Sequence, residues 1–223
     1  MRKNTIWLLL ILSSILIIVL FYIFAGEEEV LREEDGPAYS IYTSIFPIYE
    51  LARSIAGEDN MVQLVVPSGA ELHSYEPSPR RLAGLEQADI FFYIGLDLEP
   101  WAEGMARLLN NSGVRTVELS AYLPLLRIEE TGVEEDHYDD YHHGVYDPHV
   151  WLDPENMKTM AAVIRDELII LDPEKGERYK ANYESYAGKI DELLAEYDEV
   201  LRKLNQDTII VSHAAFGYLA RRY

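Results

Sequence analysis

The sequence predicts an α/β fold in which strand–helix units build a parallel sheet with crossover helices. A long helix then leads into a second lobe that is opened and not completed. Three observations carry this. Short apolar, β-branched runs alternate with segments of helical period between residues 38 and 171. One periodic stretch continues unbroken over 172–205, and a further strand-like run with the start of a helix fills 206–223.

The elements come in order along the chain. Residues 39–46 (YSIYTSIF) are β-branched and aromatic and are stopped by Pro47, which reads as a strand. Ile48, Leu51, Ala52 and Ile55 recur at helical spacing, and Gly57 closes that helix. Residues 61–66 (MVQLVV) form a second strand ended by Pro67. Ser78 and Pro79 can start a helix, as cap and first-turn residue, running to about Gln87. Residues 88–94 (ADIFFYI) suit a strand covered on both faces. Residues 101–109 read as helix and 114–119 as a short strand. Residues 154–171 read as helix with Asp153 as its cap. The 172–205 stretch carries Tyr179, Tyr183, Tyr186, Ile190, Leu193, Tyr197, Val200 and Leu204 at steps of three and four. It would be about 50 Å long, enough to run along a whole lobe. Tyrosine at four of those eight positions argues against a coiled coil, whose seams prefer Leu, Ile and Val. Residues 207–211 (DTIIV) begin a fifth strand and 214–223 a helix. One strand and part of a helix cannot cover both faces of a sheet, so the chain is expected to be a fragment or truncated product.

Residues 6–25 contain no charge and only two serines. Twenty helical residues span about 30 Å, the thickness of a bilayer's hydrocarbon core. Arg2 and Lys3 precede the run and Glu27, Glu28 and Glu29 follow it, so the amino terminus stays in the cytoplasm and the rest lies outside. The stretch 1–25 is thus a transmembrane anchor or a signal segment. The anchor fits better, because the apolar run exceeds the roughly 7–15 residues of a cleaved signal. Residues 26–37, charged and carrying Gly and Pro, read as a tether.

The chain has 19 Lys+Arg against 39 Asp+Glu, a formal charge of −20, and no cysteine. Zero cysteine excludes disulfides, thiolate metal sites and cysteine catalysis. The negative charge argues against nucleic acid and anionic lipid headgroups as partners and suits small cations. Residues 127–146 break the strand–helix pattern with seven acids and with His137, His142 and His143. This reads as a solvated loop.

Three other histidines stand where strands hand over to loops. His73 follows the second strand in GAELHSYEPSP, His149 lies in DPHVWLDP, and His213 follows the 207–211 run in SHAAFGYLARRY. Ligands collect at the carboxyl ends of parallel strands. Three converging imidazoles would suit a borderline divalent cation, zinc before magnesium or calcium. Taken singly, a histidine is more often a satisfied structural residue than a ligand, and spacing alone does not make three converge.

Together with ADIFFYIGLDLEPW, these segments resemble the metal-binding substrate-binding proteins of ABC importers for zinc and manganese, over roughly residues 39–223 and in the family's order. The resemblance implies two (β/α) lobes joined by a long rigid helix, here 172–205, with metal in the cleft between them. It implies His73 and His149 as ligands from the first lobe and His213 from the second. Histidine rather than glutamate at the third position marks zinc-type members, so Zn2+ is the expected cargo and Mn2+ the lesser one. The usual fourth ligand, a carboxylate from the second lobe, is missing from this chain, as is the usual lipid-bearing cysteine. The 6–25 span could replace the latter as anchor. The resemblance also implies an importer permease as partner. The 127–146 loop, with His137, His142 and His143 as accessory ligands, has the character of the loop in zinc-type members; a plain solvated charge run reads as well. Glu76 could accept from a ligand imidazole or cap the turn at Pro77–Pro79. Trp151 reads as a core aromatic beneath the site.

The function implied is extracytoplasmic capture of a divalent metal ion for uptake, with no catalysis. The alternatives are a membrane-anchored zinc hydrolase, with three histidines and an open position on the ion, or a manganese-binding or adhesin-type member of the same family. Against the hydrolase, the chain has no His-Glu-x-x-His helix.

Overall fold

Strand β1 (Ser40–Thr43) turns directly into helix α1 (Phe46–Ala56). Pro47 sits in the first turn of α1, where a missing N–H costs no hydrogen bond, so the strand ends sooner than its apolar run suggests. Ile48, Leu51, Ala52 and Ile55 are buried on one face of α1. Gly57 ends the helix at a φ of 75°, a conformation a side chain would strain. In this computed structural model the described residues are 39–130, 144–205 and 208–223. The expectations for 1–25 and 26–37, and for His137, His142 and His143, lie outside them. Among the described residues no helix is long and apolar enough to cross a membrane.

Three more strands complete the sheet: β2 (Met61–Leu64), β3 (Ile90–Tyr93) and β4 (Arg115–Glu118), each shorter by a residue or more at its ends than its apolar run. All pair in parallel in the order β2-β1-β3-β4. Ile41 stands opposite Val62 on one side and Ile90 on the other. Between β2 and β3 lies helix α2 (Pro79–Leu85), and between β3 and β4 helix α3 (Pro100–Asn111). The chain builds outward to β2, then crosses back past β1 to β3, so the topological switch point lies between β1 and β3.

Because successive strand residues face opposite ways, β3 serves two cores. Phe92 joins Ile41 against Ile48, Leu51 and Ile55 of α1. Phe91 and Tyr93, stacked 5.5 Å apart, pack with Leu85, Ala102 and Ala106 on the other face. Both faces are thus covered, as an all-parallel sheet requires.

Helix α4 (Pro154–Leu171) has the bounds its sequence suggests, and the Asp153 carboxylate accepts from the Glu155 N–H at its start. Met160, Ile164 and Leu168 bury its inner face in the first core. A 3-10 turn (Pro173–Lys175) precedes helix α5 (Gly176–Leu201). The expected single helix over 172–205 is therefore shorter, about 39 Å. Tyr179 is fully buried, its hydroxyl between Asn60 and Asp172 at 3.3 Å each. Tyr183 and Tyr186 pack against the same core, whereas Val200 and Leu204 are 58 % and 56 % exposed. The seam is covered or half-covered as far as Tyr197, which meets Tyr223 edge-on at 6.0 Å, and only its last residues stand exposed.

The expected fifth strand does not form: residues 209–211 join no sheet among the described residues. A strand needs a neighbour for its N–H and C=O groups, and β-branched composition alone supplies none. Helix α6 (Gly217–Arg222) starts three residues later than its sequence suggests. The ends of the acidic loop meet in an antiparallel bridge between Arg127 and Tyr146.

Candidate metal centre

His73 lies on the irregular segment after β2, pinned by the Tyr75 hydroxyl donating to the Val65 carbonyl at 3.3 Å. His149 precedes a 3-10 turn (Val150–Leu152), and Asn156 of α4 donates to the Val150 carbonyl at 3.1 Å. His213 lies between the irregular 209–211 stretch and α6. Seventy-six and sixty-four positions separate them (149 − 73 and 213 − 149). Folding nevertheless brings one ring nitrogen of each within 4.8 Å of the others. Ring centroids stand 6.0 Å apart for His73 and His149, 6.2 Å for His73 and His213, and 4.9 Å for His149 and His213.

The His149 and His213 Nε2 atoms are 3.0 Å apart. Two nitrogens each about 2.0–2.1 Å from a tetrahedral ion stand about 3.4 Å apart, so this pair needs little movement to share one. The tautomer of His149 is set from behind. Asp147 Oδ1 accepts from its Nδ1 at 2.7 Å and from its backbone N–H at 3.0 Å. A carboxylate only accepts, so the ring proton sits on Nδ1 and the Nε2 lone pair faces His213. Both groups are buried, so solvent does little to screen the pair.

Asp147 was not singled out in the sequence, though its place two residues before His149 in DPH is the signal that could have found it. Glu76 is exposed and lines a cavity of about 510 Å³ beside His73, with Ser74, Leu82 and Trp101. Trp151 lies edge-on to His149 at 5.4 Å. Asp153 caps α4 and holds the Arg222 guanidinium through two bonds of 2.8 and 2.7 Å.

Another carboxylate escaped the sequence reading. Glu99 is fully buried at the carboxyl ends of β1 and β3, where it accepts from Ser44 Oγ at 2.5 Å and from the Ile94 and Gly95 N–H groups at 3.2 Å. Burial pushes its carboxyl up to about 7, against these hydrogen bonds, which pull it down. It fills the switch point itself. The imidazoles gather instead on the segments after β2, before α4 and before α6.

Residues 41–223 match the ZnuA family, described as zinc-uptake complex component A periplasmic. The chain belongs to that family. The zinc-binding lipoprotein AdcA of Streptococcus pneumoniae is 34 % identical over 193 residues, covering 86 % of this chain and 38 % of AdcA. The manganese-binding lipoprotein MntA of Halalkalibacterium halodurans is 34 % identical over 200 residues, covering 89 % of this chain and 62 % of MntA. The crystal structure of Zn(II)-bound AdcA from Streptococcus pneumoniae superposes with a TM-score of 0.74 at 32 % identity, over 84 % of this chain and 38 % of that one. The chain thus spans about two fifths of the length of the AdcA relatives it matches. Its α/β fold, a parallel sheet flanked by helices, is shared with ZnuA-type binding proteins.

Proposed function

We propose that this ZnuA-family chain captures a divalent metal ion outside the membrane, zinc in preference to manganese, and hands it to an ABC importer permease without catalysing a reaction. The observation that carries this reading is the convergence of His73, His149 and His213 from three distant segments within 4.8 Å. Three neutral nitrogens match the borderline character of zinc, whereas manganese favours harder oxygen ligands. Three side chains plus water or a further ligand complete a tetrahedral shell. In this reading residues 6–25 hold the protein at the membrane and the 127–146 loop, with His137, His142 and His143, collects cations weakly on the outer side.

Titration of the purified chain with zinc and with manganese tests the reading, alongside His73→Ala, His149→Ala and His213→Ala. Zinc should bind more tightly than manganese. Each substitution should weaken zinc by more than about a hundredfold, beyond the roughly 10–100-fold that loss of a residue behind a ligand costs. Wild-type zinc affinity in all three variants would overturn it.

A further inference from the structure

We propose that Tyr218 and Arg222 position His213 for ion capture by clamping helix α6 onto the segment that carries His149. This rests on the reading of the three imidazoles as ligands.

The chain that enters His213 from upstream is largely exposed over residues 209–211. Ile209 is 60 % exposed, Ile210 is 98 % exposed, and 209–211 join no strand among the described residues. Downstream of His213 the chain is held firmly. Tyr218 is buried in the main core, its hydroxyl donating to the Asp147 carbonyl at 2.9 Å and accepting from the Leu126 N–H at 3.0 Å. Arg222 grips both oxygens of the nearly buried Asp153, the residue that caps α4. Arg221 and Glu130 add a pair at 3.7 Å, but both are more than half exposed, so it contributes little.

Helix α6 therefore touches the 147–153 segment at both ends: a backbone carbonyl at Asp147 and a side-chain carboxylate at Asp153. His149 lies between those two points and His213 precedes α6 by four positions. The clamp places His213 beside His149, and an ion bridging their rings favours the same docked arrangement. Clamp and ion are linked, each stabilising the state the other selects. Apparent affinity scales with the docked fraction, so a variant docked one tenth of the time binds about tenfold more weakly.

The test uses the full chain and zinc alone, in competition with a chelator of known affinity. Arg222→Gln keeps a polar side chain at a partly exposed helix end but shortens it and removes the charge, and Tyr218→Phe keeps the buried ring while deleting the hydroxyl. Each should weaken zinc binding about tenfold. Because each also removes a partner from a buried group, thermal unfolding falls as well, and the His213→Ala background separates the two effects. In a His213→Ala background the same substitutions should change affinity by less than about twofold, because no ring remains to be positioned. Wild-type affinity in both clamp variants overturns this inference alone, provided His213→Ala is weakened. Equal losses with and without His213 overturn it too, by revealing a general structural effect. Unchanged affinity in His213→Ala overturns the ligand reading, and this inference with it.

Discussion

Replacing Asp147 by asparagine removes one negative charge from directly behind His149 and almost nothing else, since the two side chains are nearly the same size. The carboxylate is 0 % exposed and lies 2.7 Å from Nδ1. In the variant, the amide oxygen can still accept from Nδ1–H, but the ring loses the anion that makes its Nε2 a stronger donor to a cation. Alternatively the amide donates to Nδ1 and drives the ring proton onto Nε2, where it competes with the ion. Loss of such a partner costs 10–100-fold in metal affinity, or about 1.4–2.7 kcal/mol. Burial of both groups places Asp147→Asn toward the upper end, about 2–2.7 kcal/mol. The ion-free protein should respond differently. Asp147 Oδ2 meets no hydrogen-bond donor among the described residues, so neutralising the carboxylate removes a desolvation cost along with a favourable contact. Zinc affinity by chelator competition should therefore fall while thermal unfolding of the ion-free chain stays nearly unchanged. Zinc bound as tightly as by the wild type would refute the reasoning, and so would a loss of affinity matched by an equal loss of ion-free stability.

Two further predictions concern pH. Glu99, raised to about 7 from an ordinary value of 4.5, keeps a proton in the folded state that the unfolded chain has already released between those values. Its contribution is full below about pH 4.5 and is lost as pH rises toward 7, on the order of 3 kcal/mol in total. Glu99→Gln should flatten that slope in urea unfolding followed across the window, and parallel profiles for the two proteins would count against it. Zinc affinity should move the opposite way, falling steeply below about pH 6, because imidazole nitrogens bind metal only when unprotonated. Equal affinity at about pH 5 and pH 7.5 would contradict an all-imidazole site.

Local chemistry was legible in the sequence wherever a few adjacent residues decide the outcome. The Asp153–Pro154 start of α4, the apolar face of α1 and the two-sided burial of β3 result from capping, periodicity and composition, all short-range properties. The run at 207–211 shows the limit. Its composition suits a strand, but pairing depends on a neighbour that no local pattern specifies. The tyrosine seam of α5 is similar: the period predicts one apolar face, while only packing decides that Tyr179 is fully buried and Val200 and Leu204 are left exposed.

The site divides along the same line. The residue types and their order, with the resemblance they carry, named His73, His149 and His213 and pointed to a borderline divalent cation. That their nitrogens meet was decided by tertiary structure alone. Convergence across 76 and 64 positions is set by crossover connections and helix docking, and distances between side chains so far apart in sequence are not encoded in any window of it. The groups behind the site were hidden for the same reason. Asp147 sits two residues from its imidazole, but Tyr218 and Arg222 act on a segment about 70 positions away, visible only once the chain has folded back upon it.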